Sequence, residues 1–246
     1  MTNAQLPQKG DSWAIETQGL GKSFGHLNAL QDITLQVRYG ALVTVLGPNA
    51  AGKTTLLRVL ATLTRPSKGR ARVGGLDVQG QDPAIRALIG WVGEHTLLYG
   101  QLSPRENLRF YGRMYGVRDL ERRIDDLTER LGFGDRQEDA VHKLSRGMQQ
   151  RVSIARAILH QPLILLLDEP YSGLDRHGAT VLDNLLSGLR DGGHTILMTT
   201  HDLHRTVELG AEVHILLNGR IVHHMGPQTT PEQLRSTYDR CMGSQQ

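Results

Sequence analysis

Cysteine occurs once among the 246 residues, as Cys241, so no disulfide can form within the chain and a reducing compartment is expected. Long apolar runs are missing as well. The longest uninterrupted aliphatic stretch is Leu163 to Leu167, against the roughly 18 apolar residues that a membrane-spanning helix needs. Met1 to Ser12 is polar and contains Pro7 and Gly10, so a secretory leader is not expected there. Neither sign of charge dominates, with 28 Lys and Arg against 25 Asp and Glu. Aromatic residues make up only 4%, and no basic patch is interleaved with them, so a nucleic-acid partner is not expected. The eleven histidines include no pair at H-x-x-x-H spacing, and adjacent His223 and His224 would point to opposite faces of a strand, which argues against a zinc centre. What remains is the composition of a soluble globular protein, 39% hydrophobic and long enough for one large α/β domain or two small ones.

Against this plain background one run stands out. Gly47-Pro48-Asn49-Ala50-Ala51-Gly52-Lys53-Thr54-Thr55 fits the phosphate-binding pattern G-x-x-x-x-G-K-[ST] and directly follows the apolar stretch Ala41 to Leu46. Glycines let such a loop wrap tightly, so that successive backbone N–H groups face phosphate oxygens, and the helix that begins at Lys53 adds its positive dipole end. Lys53 is expected to neutralise the β and γ phosphates of ATP, and the Thr54 hydroxyl to ligate Mg²⁺. Leu56, Leu57, Val59, Leu60 and Leu63 recur at helical spacing after the loop, the context the mechanism requires.

The rest of the chain supplies an α/β frame. Trp13 to Gln18 and Leu30 to Val37 read as strands, followed by a turn at Arg38-Tyr39-Gly40. Ser103-Pro104-Arg105-Glu106 reads as an N-cap, a first-turn proline and acidic support for a helix carrying Leu108, Tyr111, Met114 and Tyr115. A second helix is expected from Leu120 to Leu131, ending before Gly132. These helices interrupt the strand pattern and read as an insertion. Leu163 to Leu167 is a strand buried on both faces. A helix near Arg176 to Arg190, a strand at Thr195 to Thr199 and a hairpin turning at Asn218-Gly219 complete the core.

Two further motifs carry chemistry. The buried strand ends in Asp168-Glu169-Pro170, at the edge where open parallel sheets present ligand groups. Asp168 is placed to hold Mg²⁺ through water, and Glu169 to orient or deprotonate the attacking water. Upstream, Leu144-Ser145-Arg146-Gly147-Met148-Gln149 opens another helix, where Ser145 and the Gly147 amide form a second anion site. One chain hardly needs two γ-phosphate sites, so the second is expected to serve ATP bound to another subunit.

Taken together these motifs resemble the ATP-binding subunit of an ATP-binding cassette (ABC) transporter, over about residues 13 to 225. The resemblance implies a P-loop NTPase with a RecA-like α/β core, an N-terminal antiparallel β-subdomain and a helical subdomain inserted at approximately 94–160, within a single domain. It also implies that Ser172-Gly173-Leu174-Asp175 links opposed sites, that His201 senses the γ-phosphate, that Phe24 stacks on adenine and that two such subunits close around ATP, a homodimer being expected but a heterodimer left open. Three positions depart from the family pattern. Ala50 stands where glycine is usual, tolerable if its φ is negative and costing roughly 1 kcal/mol otherwise. Arg146 and Met148 replace the usual residues of the signature but leave Ser145 and Gly147. Glu94 takes the place of a glutamine that reaches Mg²⁺ and the attacking water, with His95 the other candidate.

Within the family, Gly93 to Tyr99, Glu106 to Tyr111, Asp168 to Asp175 and Met198 to Leu203 look like the ATPase subunit of the cytochrome c biogenesis haem exporter. The near alternative is the ATPase of a multidrug or antibiotic exporter. Either resemblance implies docking on polytopic membrane subunits at the cytoplasmic face of a bacterial inner membrane, through residues around Glu94 to Gly116. A soluble ABC-type ATPase acting on ribosomes or nucleic acid, and a purely regulatory nucleotide-binding module, fit the sequence less well. The transported substrate is not legible here, because in this architecture the transport path belongs to the membrane subunit.

Overall fold

The computed structural model describes residues 13–80 and 82–243. The leader reading of Met1 to Ser12 therefore lies outside the described residues.

Two sheets enclose one core. The first strand, β1 (Trp13–Phe24), pairs antiparallel with β2 (Leu27–Arg38), and the turn at Tyr39-Gly40 closes with an Ala41 N–H to Arg38 carbonyl bond of 3.2 Å. After β3 (Leu42–Leu46) and α1 (Lys53–Leu60), β4 (Lys68–Val73) pairs with β1, and β5 (Leu76–Asp77) completes a four-stranded antiparallel sheet ordered β2-β1-β4-β5.

The second sheet has six strands, β10-β9-β3-β8-β7-β6. It contains β6 (Ile89–Val92), β7 (Ile164–Asp168), β8 (Thr195–Thr200) and β9 (Glu212–Leu217), parallel to their neighbours, with β10 (Arg220–Met225) antiparallel at the edge. Every residue of β3, β7 and β8 is buried, which is why they read as continuous apolar runs. Alternation still sorts their side chains. Ile164 and Leu166 of β7 join the core shared with the antiparallel sheet and α1, while Leu165 and Leu167 face the other way.

That second face meets α4 (Leu120–Leu131), α5 (Arg146–Ile158) and α6 (Arg176–Asp191). Between β6 and β7 the described elements are helical: α3 (Pro104–Met114), α4, α5 and two short 3-10 turns. Ser103 caps α3 in a full capping box with Glu106, as expected from the sequence, and Arg105 ties α3 to Glu121, Asp125 and Glu138. The insertion is fastened to the core through α5. Arg156 donates to the Trp91 carbonyl at 2.7 Å, and Ser153 to that of Thr96 at 3.2 Å. His160 stacks on Tyr115, and burial pushes its imidazole down to about 4.

Several elements have no counterpart in the sequence pattern: β4, α2 (Pro83–Leu88), β6, α7 (Leu203–Glu208) and α8 (Pro231–Gly243). β4 reads Lys-Gly-Arg-Ala-Arg-Val and buries only Ala71 and Val73, so its strand character comes from pairing with β1 rather than from its own pattern. Leu63, counted with the helix after the loop, is exposed and beyond its end.

Candidate nucleotide-binding and hydrolysis site

Residues 47–52 form the connection from β3 to α1, and the local sequence dictates its shape. Gly52 caps α1 with φ of 108°, and a Cβ there would lie 2.4 Å from the Ala29 carbonyl oxygen of β2, so only glycine fits. The loop is braced from outside its own chain segment. Gly219, in the β9–β10 turn, donates to the Ala51 carbonyl at 2.9 Å, and Gln31 of β2 donates back to Gly219 at 2.7 Å. Nothing in the one-dimensional pattern links Asn218-Gly219 to phosphate binding. It reads simply as a hairpin turn.

Lys53 is 7% exposed. Its ammonium donates to the Gly47 and Pro48 carbonyls at 2.7 and 3.1 Å and stands 3.6 Å from Glu169 Oε1. Around it opens a cavity of ≈ 530 Å³, lined by Pro48 to Thr55, by Phe24 and Leu27, and by Glu169 and Asn218-Gly219. Phe24, half exposed at the end of β1, forms an aromatic wall of this cavity, beside which Lys22 sits 4.8 Å from the ring centre.

Ala50 has φ of 64°. The condition of a negative φ therefore fails, and this position carries left-handed strain of about 1–2 kcal/mol. Replacing it by glycine removes that strain but adds about 0.4–1 kcal/mol of unfolded-chain entropy. The expected net gain is about 0.5–1 kcal/mol, or about 1–4 °C in melting temperature for a chain of this size. A calorimetric midpoint for Ala50→Gly at or below that of the parent protein would show the strain to be absent.

The carboxylates sit at the end of β7. Asp168 is 4% exposed and accepts from the Thr199 hydroxyl at 2.6 Å. Thr199 also accepts, through the same oxygen, from the Glu169 N–H at 3.1 Å, so one buried threonine of β8 orients both acidic residues. The sequence reading missed that role, which depends on the pairing of Asp168 with Thr199 across adjacent strands. Glu169 itself has φ of 47°, a strained conformation that persists only where the surroundings hold it. Its side chain bridges two groups, with Oε1 toward Lys53 and Oε2 3.1 Å from His201 Nδ1.

These contacts bring Lys53, Glu169 and His201 together at one end of the parallel sheet, beside the loop and the cavity. The donor set fits a nucleotide polyphosphate with its cation: a turn too tight for a side chain at Gly52, a buried ammonium, two threonine hydroxyls and a buried carboxylate. Thr54 and Asp168 are the residues that would hold Mg²⁺. Among the described residues no cluster of three His, Cys, Asp or Glu suggests another metal centre.

Glu94, His95, Ser145 and Gly147 stand elsewhere. Glu94 and His95 are exposed on the bend after β6 and are not in the wall of the cavity. Ser145 caps α5, accepting from the Met148 N–H at 3.3 Å, and it and Gly147 also lie outside the cavity. Gly147 packs so closely on the 172–175 segment that a Cβ would lie 2.8 Å from the Gly173 carbonyl oxygen. Arg151 meets Asp175, the cap of α6, at 3.3 Å. The signature helix and the segment after Glu169 thus form one packed unit.

A P-loop fold with a buried loop lysine, paired carboxylates at a strand end and a histidine on the glutamate defines a nucleotide-hydrolysing cassette. The chain belongs to the ABC transporter family, whose sequence pattern matches residues 30–172, and it is an ATP-binding subunit with ATPase activity coupled to transport. It is 39% identical over 211 residues to the daunorubicin resistance ATP-binding protein DrrA3 of Streptomyces coeruleorubidus, covering 85% of this chain and 67% of that protein. It is 35% identical to Nod factor export ATP-binding protein I of Rhizobium johnstonii, covering 89% and 71%. A bacterial ABC transporter cassette solved as a dimer superposes with a TM-score of 0.81 at 25% identity, over 88% of this chain and all of that one. Neither of the two relatives is named for cytochrome c biogenesis.

Proposed function

We propose that this chain is the ATPase subunit of a drug- or antibiotic-type ABC exporter, in place of the haem-exporter assignment expected from the sequence. The similarity to the daunorubicin resistance and Nod factor export proteins carries this reading. Two copies close around ATP. The support for that is internal: Ser145, exposed at the start of α5, and the half-buried Gly147 lie outside the cavity that holds Lys53, which suits an anion site offered to the nucleotide of a second chain.

In the closed pair, Lys53 and the loop amides hold the β and γ phosphates, and Phe24 packs against the base. Thr54 and Asp168 would hold Mg²⁺, which when bound would neutralise charge on the transferred phosphoryl group; the exposed Glu94 would join them only if its bend moves inward on closure. Glu169 takes the proton of the attacking water at its carboxylate, and His201, 3.1 Å from Oε2, fixes its orientation.

No helix among the described residues is long and apolar enough to cross a membrane. Membership of the ABC transporter family supports a polytopic membrane subunit as the partner, with this chain peripheral on its cytoplasmic side. Phe110 and Met114 are exposed on α3, with Tyr99 against the Phe110 ring and Glu106, Arg109 and Arg113 beside them, and support docking there.

The test is to solubilise native membranes, capture the chain and identify its partners by mass spectrometry. A drug-exporter permease is the expected result. Recovery of small haem-handling membrane subunits would return the assignment to cytochrome c biogenesis, and finding only ribosomal or nucleic-acid partners would overturn the transport reading.

A further inference from the structure

Behind the Glu169–His201 pair lies a second charged cluster. Tyr171, two residues after Glu169, donates its hydroxyl to Asp183 Oδ1 of α6 at 2.7 Å. The other oxygen of that carboxylate accepts from Arg205 Nη1 at 2.6 Å. Arg205 belongs to α7, four residues after His201, and its guanidinium lies 4.5 Å from the centre of the Tyr171 ring. Its Nε is 3.5 Å from Asp202, the residue that caps α7 directly after His201. Burial, and then the bond to Asp183, push the Tyr171 phenol well above its ordinary range, so the hydroxyl stays a donor.

Three chain segments meet at this cluster: the turn after β7, α6 and the start of α7. They enclose a cavity of ≈ 420 Å³ whose walls include Asn49 of the phosphate loop, Glu169, Tyr171, His201 and Arg205. The His201 side chain is 79% exposed, and Glu169 keeps a strained backbone conformation that its surroundings have to hold. A carboxylate that uses both oxygens, with a planar guanidinium stacked on the ring it bridges to, is a geometrically demanding link between them.

We propose that Arg205, acting through Asp183 and Tyr171, is a positioning residue for ATP hydrolysis, setting the spacing between Glu169 and His201. The proposal rests on the ATPase reading of the site. It assigns Arg205 no contact with nucleotide. A misplacement of about 1 Å at a reacting group costs up to about 100-fold in rate, so the clamp is expected to show in turnover and not in affinity.

The experiment uses the purified full chain with Tyr171→Phe, Asp183→Asn, Arg205→Gln and the conservative Arg205→Lys, and reads three quantities. The turnover number for ATP is expected to fall about tenfold or more in the first three, with partial recovery in Arg205→Lys. ATP binding, measured by equilibrium titration of the same preparations, is expected to stay within about twofold of the parent. Tyr171→Phe combined with Arg205→Gln should be no worse than the poorer single variant, because both break one link. Parental turnover in folded Tyr171→Phe and Arg205→Gln would overturn the proposal, as would equal losses of binding and turnover or strictly additive effects. If the parent itself neither binds nor hydrolyses ATP, the ATPase reading fails instead.

Discussion

Glu169→Gln is expected to lower ATP hydrolysis by about 10²- to 10⁴-fold while leaving ATP binding intact. The substitution keeps the shape of the side chain and its reach to His201 Nδ1, now 3.1 Å from Oε2. It also removes a negative charge 3.6 Å from the Lys53 ammonium, which frees that cation for phosphate. What is lost is the ability to take a proton from water. ATP should then stay bound between two chains, and a dimer dependent on ATP should accumulate, measurable by size-exclusion chromatography with light scattering. Robust turnover in the variant would remove Glu169 from the base role. A monomer at saturating ATP would count against the closed pair.

Lys53→Ala should weaken ATP binding by about 10- to 100-fold, since one buried charge-assisted contact is worth about 1.5–3 kcal/mol. Hydrolysis should be lost with it. Ser145→Arg is expected to stop hydrolysis by a different route, blocking the signature without touching the cavity around Lys53, so ATP binding survives. A closed pair makes a sharper demand. In a mixed dimer of these two variants, one nucleotide site carries both defects and the other carries neither. Mixing the two inactive proteins should therefore restore part of the parental rate. No recovery, with mixed dimers verified by mass, would sink the composite site, as would parental turnover in Ser145→Arg alone.

Legibility in this chain followed the range of the interactions. The phosphate loop, the capping box at Ser103 and Glu106, the strand at 164–168 and the glycine-ended α4 were readable because backbone sterics and neighbours three or four residues away decide them. β4 and β6 were not, being short and poor in distinctive pattern. β4 is held by β1, and β6 by β7. α8 buries only Leu234 and Thr237, too little apolar face to announce a helix. The motif residues Lys53, Asp168, Glu169 and His201 were named from their local words. Their mutual distances were not contained in those words.

By itself, then, the sequence determined the class of chemistry: a tight glycine-bearing turn before a helix binds phosphate, paired carboxylates end a buried strand, and a lone cysteine and short apolar runs leave neither disulfides nor a spanning helix among the described residues. Only the tertiary structure decided the rest. Strand pairing sets Thr199 against Asp168 and Glu169, and hairpin packing sets Gly219 against the phosphate loop. Ala50 takes a left-handed φ in that loop, and Glu94 stands on an exposed bend after β6, outside the cavity wall. Each of these joins residues 30 or more positions apart, or depends on a backbone conformation imposed by such contacts, and no local pattern encodes a contact whose partner is set by the packing of the whole chain.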